Sequence, residues 1–238
     1  MEIEAKYAIS DPSVFDTLLE LRAVGSYRLR PTGERQVIDH YLDTAERDLL
    51  KAGYACRLRE SEADRQWRLT VKGLGKAEGA RHEREELECE VPPHSTPSDW
   101  PECQAREVVL RASEGRPLAE LFALRQLRAT RAVEQGERGV GELSLDTVDS
   151  EIAGHESHAR ELEVELAGAG TEDDLRAIDD QLRQYDLEPQ ASSKFERALA
   201  QLDGEKRARK PRKKKKSVGV TADEPMAEAG RKILRFHF

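Results

Sequence analysis

Apolar and polar positions alternate from the first residues of the chain. Ile3, Ala5 and Tyr7 are set against Glu2, Glu4 and Lys6, a period of two that predicts a strand. Asp11-Pro12 then opens a helix whose stripe is Val14, Phe15, Leu18, Leu19 and Leu21, ending near Gly25. Further strands are predicted at 35–41, 54–60, 66–72, 84–91, 125–134, 141–148 and 159–166. Helices are predicted at 45–51, capped by Asp43 or Thr44, at 104–112 and 116–122, at 171–185 with Thr171 as cap, and at 192–202. The stretch 92–101, with Pro92, Pro93, Pro97 and Pro101, reads as a loop.

The strands repeat one arrangement. One face is apolar, as in Trp67, Leu69 and Val71 or Leu162, Val164 and Leu166. The other is charged: Arg57 and Arg59; Arg68 and Lys72; Arg84, Glu86 and Glu88; Glu142 and Asp146; Glu161, Glu163 and Glu165. For any single strand this describes a half-solvated sheet. For the set, the amphipathic helices need an apolar surface to cover, and that turns the charged faces inward. About eight antiparallel strands can close into a barrel. The expected fold is therefore α+β, an eight-stranded antiparallel β-barrel, or tunnel, with helices packed outside. So many inward charges are costly unless they pair or bind an ion-rich ligand. A polyphosphate with divalent metals satisfies both signs, since Lys and Arg take phosphate oxygens and carboxylates take the metal.

Composition narrows the choices. Of 238 residues, 36% are charged and 37% hydrophobic, with a net charge of −8. Residues 206–216 carry nine Lys or Arg; without them 30 basic residues face 47 acidic ones, a balance of −17. An acidic body with a basic run is not a simple nucleic-acid binder, and no specific nucleic-acid partner is expected. Cys56, Cys89 and Cys103 are odd in number and lack CxxC spacing, so neither a disulfide framework nor a zinc site is expected. Any metal is then held by carboxylates, which favours Mg²⁺ or Mn²⁺. No apolar run approaches a membrane span and the N-terminus does not read as a signal peptide, so a soluble, cytoplasmic protein with no membrane partner is expected.

Several blocks carry a family resemblance. Glu2-Ile3-Glu4-Ala5-Lys6 matches the ExExK signature of the CYTH superfamily, the triphosphate tunnel metalloenzymes. HYLDTAERDLLKAGYACRLRE (40–60), LTVK (69–72), REELE (84–88), LSLD (143–146), RELEVEL (160–166) and SSKFERAL (192–199) resemble further family blocks in order. The resemblance implies a tunnel that binds a triphosphate and one or two divalent cations. It makes Lys6, Arg57, Arg59, Lys72, Arg84, Arg131 and Lys194 phosphate ligands, with either Arg128 or Arg131 facing inward depending on register. Glu2, Glu4, Glu161 and Glu163 become metal ligands, with Glu86, Glu88 and Asp146 as further candidates. Glu4, Lys6 and Glu163 are the residues expected at the chemistry.

Residues 1–203 form the expected domain and 204–217 a basic, disordered linker. Residues 218–238 resemble the opening helix of a CHAD domain, a module associated with polyphosphate. The basic run reads first as a solvated spacer and second as a polyphosphate contact. The expected function is metal-dependent hydrolysis of inorganic tripolyphosphate or a related triphosphate. A class IV adenylate cyclase or a thiamine triphosphatase on the same fold is the runner-up. A non-catalytic polyphosphate-binding module is the alternative of another class.

Overall fold

The computed structural model describes residues 2–61, 66–74, 77–78 and 80–209, without the side chains of 77–78 and 205–209. Its elements are β1 (Glu2–Ala8), α1 (Pro12–Glu20), β2 (Ala23–Val24), β3 (Tyr27–Asp43), α2 (Asp48–Lys51), β4 (Tyr54–Ser61), β5 (Trp67–Gly73), β6 (Ala77–Glu78), β7 (Arg81–Arg84), β8 (Glu86–Val91), α3 (Gln104–Ser113), β9 (Ala119–Gln135), β10 (Arg138–Ile152), β11 (His155–Leu166), α4 (Glu172–Leu182), β12 (Glu188–Pro189) and α5 (Lys194–Arg209).

The strands form one 12-stranded sheet, ordered β6-β7-β1-β11-β10-β9-β3-β4-β5-β8, with β12 on β1 and β2 on β3. The ladders are antiparallel. This corrects the expected eight-stranded barrel: the sheet is open. β7 and β8 are consecutive in the chain, but β7 pairs with β1 and β8 with β5. The chain changes partner at Glu85, so no ladder joins the two ends among the described residues.

The faces follow the alternation in the sequence. One outer cluster joins Ala5, Tyr7, Leu143, Leu145, Leu162 and Val164 to Phe15 and Leu18 of α1 and to Leu175, Ile178 and Leu182 of α4. A second joins Cys56, Leu58, Leu69, Val71 and Val91 to Leu49 of α2 and to Ala105, Val108 and Val109 of α3. A third lies on the other side of the sheet, where Tyr41, Phe122, Leu124 and Val148 meet Phe195 and Ala198 of α5.

Local chemistry sets the helix starts. Asp11 accepts from the Ser13 amide, with Pro12 at the first helical position. Thr171 and Asp174 form a reciprocal capping box on α4. Asp43 accepts from the Leu49 and Leu50 amides at 2.9 and 3.0 Å and starts α2.

Three further expectations change. Residues 119–122 open β9 instead of continuing a helix from 116. The sulfurs of Cys89 and Cys103 are joined, because Cys103 caps α3 directly over β8; Cys56 is free and buried. Helix α5 runs beyond 203 to Arg209, into the expected linker. Residues 210–217 of that linker, its remaining basic run and the CHAD-like segment 218–238 lie outside the described residues.

Candidate functional site

The charged faces of the sheet enclose a cavity of about 210 Å³. β1 contributes Glu2, Glu4 and Lys6, and β11 contributes Glu163 and Glu165. β4 supplies Arg57 and Arg59, β5 Arg68 and Lys72, β7 Arg84, and β8 Glu86 and Glu88. Arg35, Arg128 and Glu142 come from β3, β9 and β10, while Ser193, Lys194 and Phe195 come from the start of α5 and the residue before it. The period of two makes this possible, because Glu2, Glu4 and Lys6 all leave β1 on one side.

The charges are interleaved. Lys6 Nζ lies 2.8 Å from Glu4 and 3.2 Å from Glu163. Lys72 Nζ lies 2.7 Å from Glu2 and 3.1 Å from Glu86. Arg128 makes a forked pair with Asp146 at 2.8 and 2.6 Å and reaches Glu163 at 2.7 Å. Lys194 donates to Asp146 at 2.8 Å and to Glu163 at 2.7 Å. Beneath Arg57 and Arg59 lies Asp39, fully buried; it takes both ends of Arg59 at 2.6 and 2.8 Å and the Gln126 amide at 2.5 Å.

These contacts set the titration of the buried groups. Burial alone pushes Glu163 up, but Lys194, Lys6 and Arg128 outweigh it and hold the carboxyl well below its usual range. The same contest, with Arg128 and Lys194 as the winning cations, lowers Asp146. Burial opposes the charge on Lys6 and Lys194 too, yet their carboxylate neighbours keep both pKa values above the ordinary lysine value. Glu165 goes the other way. Crowding by protein and then the nearby Glu2 push it up to about 7, although its side chain still reaches solvent.

Oxygens of Glu2, Glu86 and Glu165 lie within 4.8 Å of one another. Glu2 Oε2 is buried and has no hydrogen-bond partner among the described residues. An all-oxygen donor set with an unsatisfied buried acceptor fits a hard divalent cation such as Mg²⁺ or Mn²⁺.

Of the residues singled out in the sequence, Glu2, Glu4, Lys6, Arg57, Arg59, Lys72, Arg84, Glu86, Glu88, Glu163 and Lys194 line this one cavity. Glu88 accepts from Thr70 at 2.8 Å. Asp146 and Glu161 do not line it. They sit behind the wall, Asp146 on Arg128 and Lys194, Glu161 on Arg197 with Lys194 3.3 Å away. Arg131 also falls outside. It projects from the opposite face of β9 and donates to the Leu19 carbonyl, whereas Arg128 turns inward. The β9–β10 register pairs Arg128 with Asp146 and decides between the two arginines.

Sequence reasoning did not single out Asp39 or Glu165 as site residues. Asp39 shares the face of Arg35 and Tyr41 by simple alternation. Glu165 continues the Glu161, Glu163 row by two residues.

Taken together, fold and cavity define an α+β protein whose open antiparallel sheet encloses a site of interleaved acids and bases. The CYTH domain model matches residues 1–199, and the chain belongs to that family. Comparison with curated proteins finds no significant match. Among solved structures, the chain is similar to HpAC1 from Hippeastrum, a candidate adenylyl cyclase described as revealing a dominant triphosphatase activity. That match has a TM-score of 0.66 and 22% identity, covering 86% of this chain and 96% of that one. A candidate adenylate cyclase from Bacillus halodurans matches with TM-score 0.56 and 22% identity over 83% and 96% of the two chains. The PH1819 protein from Pyrococcus horikoshii OT3 matches with TM-score 0.54 and 20% identity over 84% and 99%. At these identities the likeness is one of fold. Among the described residues, no helix is long and apolar enough to cross a membrane.

Proposed function

We propose that the protein hydrolyses inorganic tripolyphosphate, or a related triphosphate, with the help of a divalent cation. The observation that carries this reading is the presence of two complementary sets in one cavity. One is the Glu2, Glu86 and Glu165 cluster; the other is Lys6, Arg57, Arg59, Lys72, Arg84, Arg128 and Lys194. A bound Mg²⁺ or Mn²⁺ would supply charge neutralisation at the phosphate oxygens and a more acidic water.

The chain's own residues do the rest. Arg57, Arg59, Arg84 and Arg128 bind phosphate oxygens, and their forks favour phosphate geometry. Lys6 and Lys194 lie on either side of Glu163 and donate to the phosphoryl group being transferred. Water attacks the terminal phosphorus, a new P–O bond forms, and the bond to the leaving diphosphate breaks. Glu4, beside Lys6, takes the water's proton, while Glu163 holds Lys6 and Lys194 in place. Cations fixed in place before reaction stabilise the developing charge without reorganising.

The test is phosphate release from tripolyphosphate, ATP and thiamine triphosphate, with Mg²⁺ or Mn²⁺ and with chelator. ATP reactions are also assayed for cyclic AMP. Chelator-sensitive release that favours tripolyphosphate is the expected result. Cyclic AMP with diphosphate would replace the reading with a cyclase. Tight tripolyphosphate binding without turnover would replace it with a receptor.

A further inference from the structure

Five cations of the cavity are each held by a carboxylate at 2.6–2.8 Å: Lys6, Arg59, Lys72, Arg128 and Lys194. Arg84 differs. It is buried, and its carboxylate neighbour among the described residues, Glu196, is 3.6 Å away. Glu196 is itself committed to the amide and hydroxyl of Ser193, both at 2.7 Å. What holds Arg84 is His82, two residues back on the same face of β7, through Nη2 and Nδ1 at 2.5 Å.

The partners fix the proton on that ring. His82 is fully buried, and its Nε2 stands 2.8 Å from the Gln190 carbonyl. A carbonyl only accepts, so Nε2 carries the hydrogen; a guanidinium only donates, so Nδ1 offers its lone pair. The ring is therefore the neutral Nε2–H form. The Gln190 end is anchored in turn, because the Gln190 amide donates to the Lys6 carbonyl at 2.9 Å. Burial foremost, with help from Lys6 and Arg84 and against Gln190 and Glu4, lowers the His82 pKa. That is consistent with a neutral ring.

We propose that His82 is a positioning residue for Arg84: its neutral imidazole aims the guanidinium into the cavity without neutralising its charge. Arg84 Nε is buried and has no hydrogen-bond partner among the described residues. The side chain thus keeps both donor capacity and full charge for a phosphate oxygen. Arg59 and Arg128, by contrast, share their donors with a carboxylate. This inference rests on the triphosphate reading of the cavity.

Tripolyphosphate binding to the full chain, measured by calorimetry with chelator present, tests it alongside steady-state kinetics. His82→Leu removes both contacts. His82→Gln can reach Gln190 but offers nothing at the Nδ1 position, whereas the amide oxygen of His82→Asn stands there. Losing one charge-positioning contact should raise Kd and KM roughly tenfold in His82→Leu and His82→Gln with kcat within about twofold, while His82→Asn stays near wild type. In an Arg84→Ala background, His82→Leu should add no further loss. The proposal is overturned if His82→Leu binds like wild type, or if its loss persists undiminished without Arg84. Should His82→Leu not fold, the contrast between Gln and Asn decides. Wild type failing to bind tripolyphosphate would instead overturn the cavity reading, and this inference with it.

Discussion

Asp39 does not line the cavity, yet two of the cavity's arginines depend on it. Burial pushes its carboxyl up, but Arg59 and Arg57 outweigh this and hold it well below the usual range. Arg59→Ala strands that carboxylate with Gln126 and a more distant Arg57, at 3.6 Å. Breaking one side of such a buried pair should cost about 3–5 kcal/mol. The pH dependence has a definite sign. A depressed folded pKa adds stability that is complete above the unfolded value, about 3.9 for Asp, and is lost as pH falls through the folded value. Asp146 and Glu163, depressed as well, act in the same window. Acid titration followed by ellipticity should therefore unfold Arg59→Ala at a higher pH than wild type; coincident midpoints would refute the pairing argument. Kinetics separate Arg59 from Glu4. Glu4→Gln should lower kcat by roughly a hundredfold with little change in substrate affinity, whereas Arg59→Ala should raise KM as well. Equal losses of affinity in both would undo that division.

At the scale of elements, caps and alternation were legible in the sequence, and two-sided strands were not. Asp43 and Thr44 mark the start of α2, and Asp43 satisfies two of its orphan amides. Asp43→Ala should lower stability by about 2 kcal/mol, because a buried cap is lost and the Leu49 anchor of the second outer cluster loosens. A thermal melt checks this, and an unchanged Tm would mean that Thr44 alone starts the helix. The start of β9 misleads for a physical reason. Leu118, Leu121 and Phe122 are spaced like a helix stripe, but Phe122 packs on Phe195 and Tyr41 while Leu118 joins the cluster across the sheet. Apolar residues on both faces erase the period of two. Arg131 misleads through register. Its neighbourhood carries arginines at 128 and 131, an odd separation that puts them on opposite faces, and only the pairing of Arg128 with Asp146 tells which face is inside. The partner change at Glu85 has no sequence signal of its own: residues 84–91 read as one strand, although Arg84 pairs with β1 and 86–91 with β5.

On the scale of the whole molecule, the open sheet gathers acids from strands far apart in sequence, and the cluster of Glu2, Glu86 and Glu165 is where this matters most. Glu2 belongs to β1, Glu86 to β8 and Glu165 to β11, so the cluster exists only when the ends of the sheet approach. Lys72 lies within 3.1 Å of Glu2 and Glu86, while Glu2 and Glu4 both repel Glu165. Burial first, and then the repulsion from Glu2, pushes the Glu165 carboxyl up to about 7. The sign of the linkage follows. A carboxyl whose folded pKa is raised contributes stability below its unfolded value, about 4.3, and that contribution is lost as pH rises toward the folded value. A cation needs the ionised form, so its binding competes with that proton and returns the lost stability by mass action. Titrating Mn²⁺ while following Tm should therefore show affinity rising from pH 6 to pH 8 by several-fold in wild type. Glu165→Gln should bind more weakly and lose most of that pH dependence, while Glu2→Gln should abolish the Mn²⁺-induced rise in Tm. If Glu165→Gln kept the wild-type slope, the proton released on binding would come from another group and the cluster would not be the cation site.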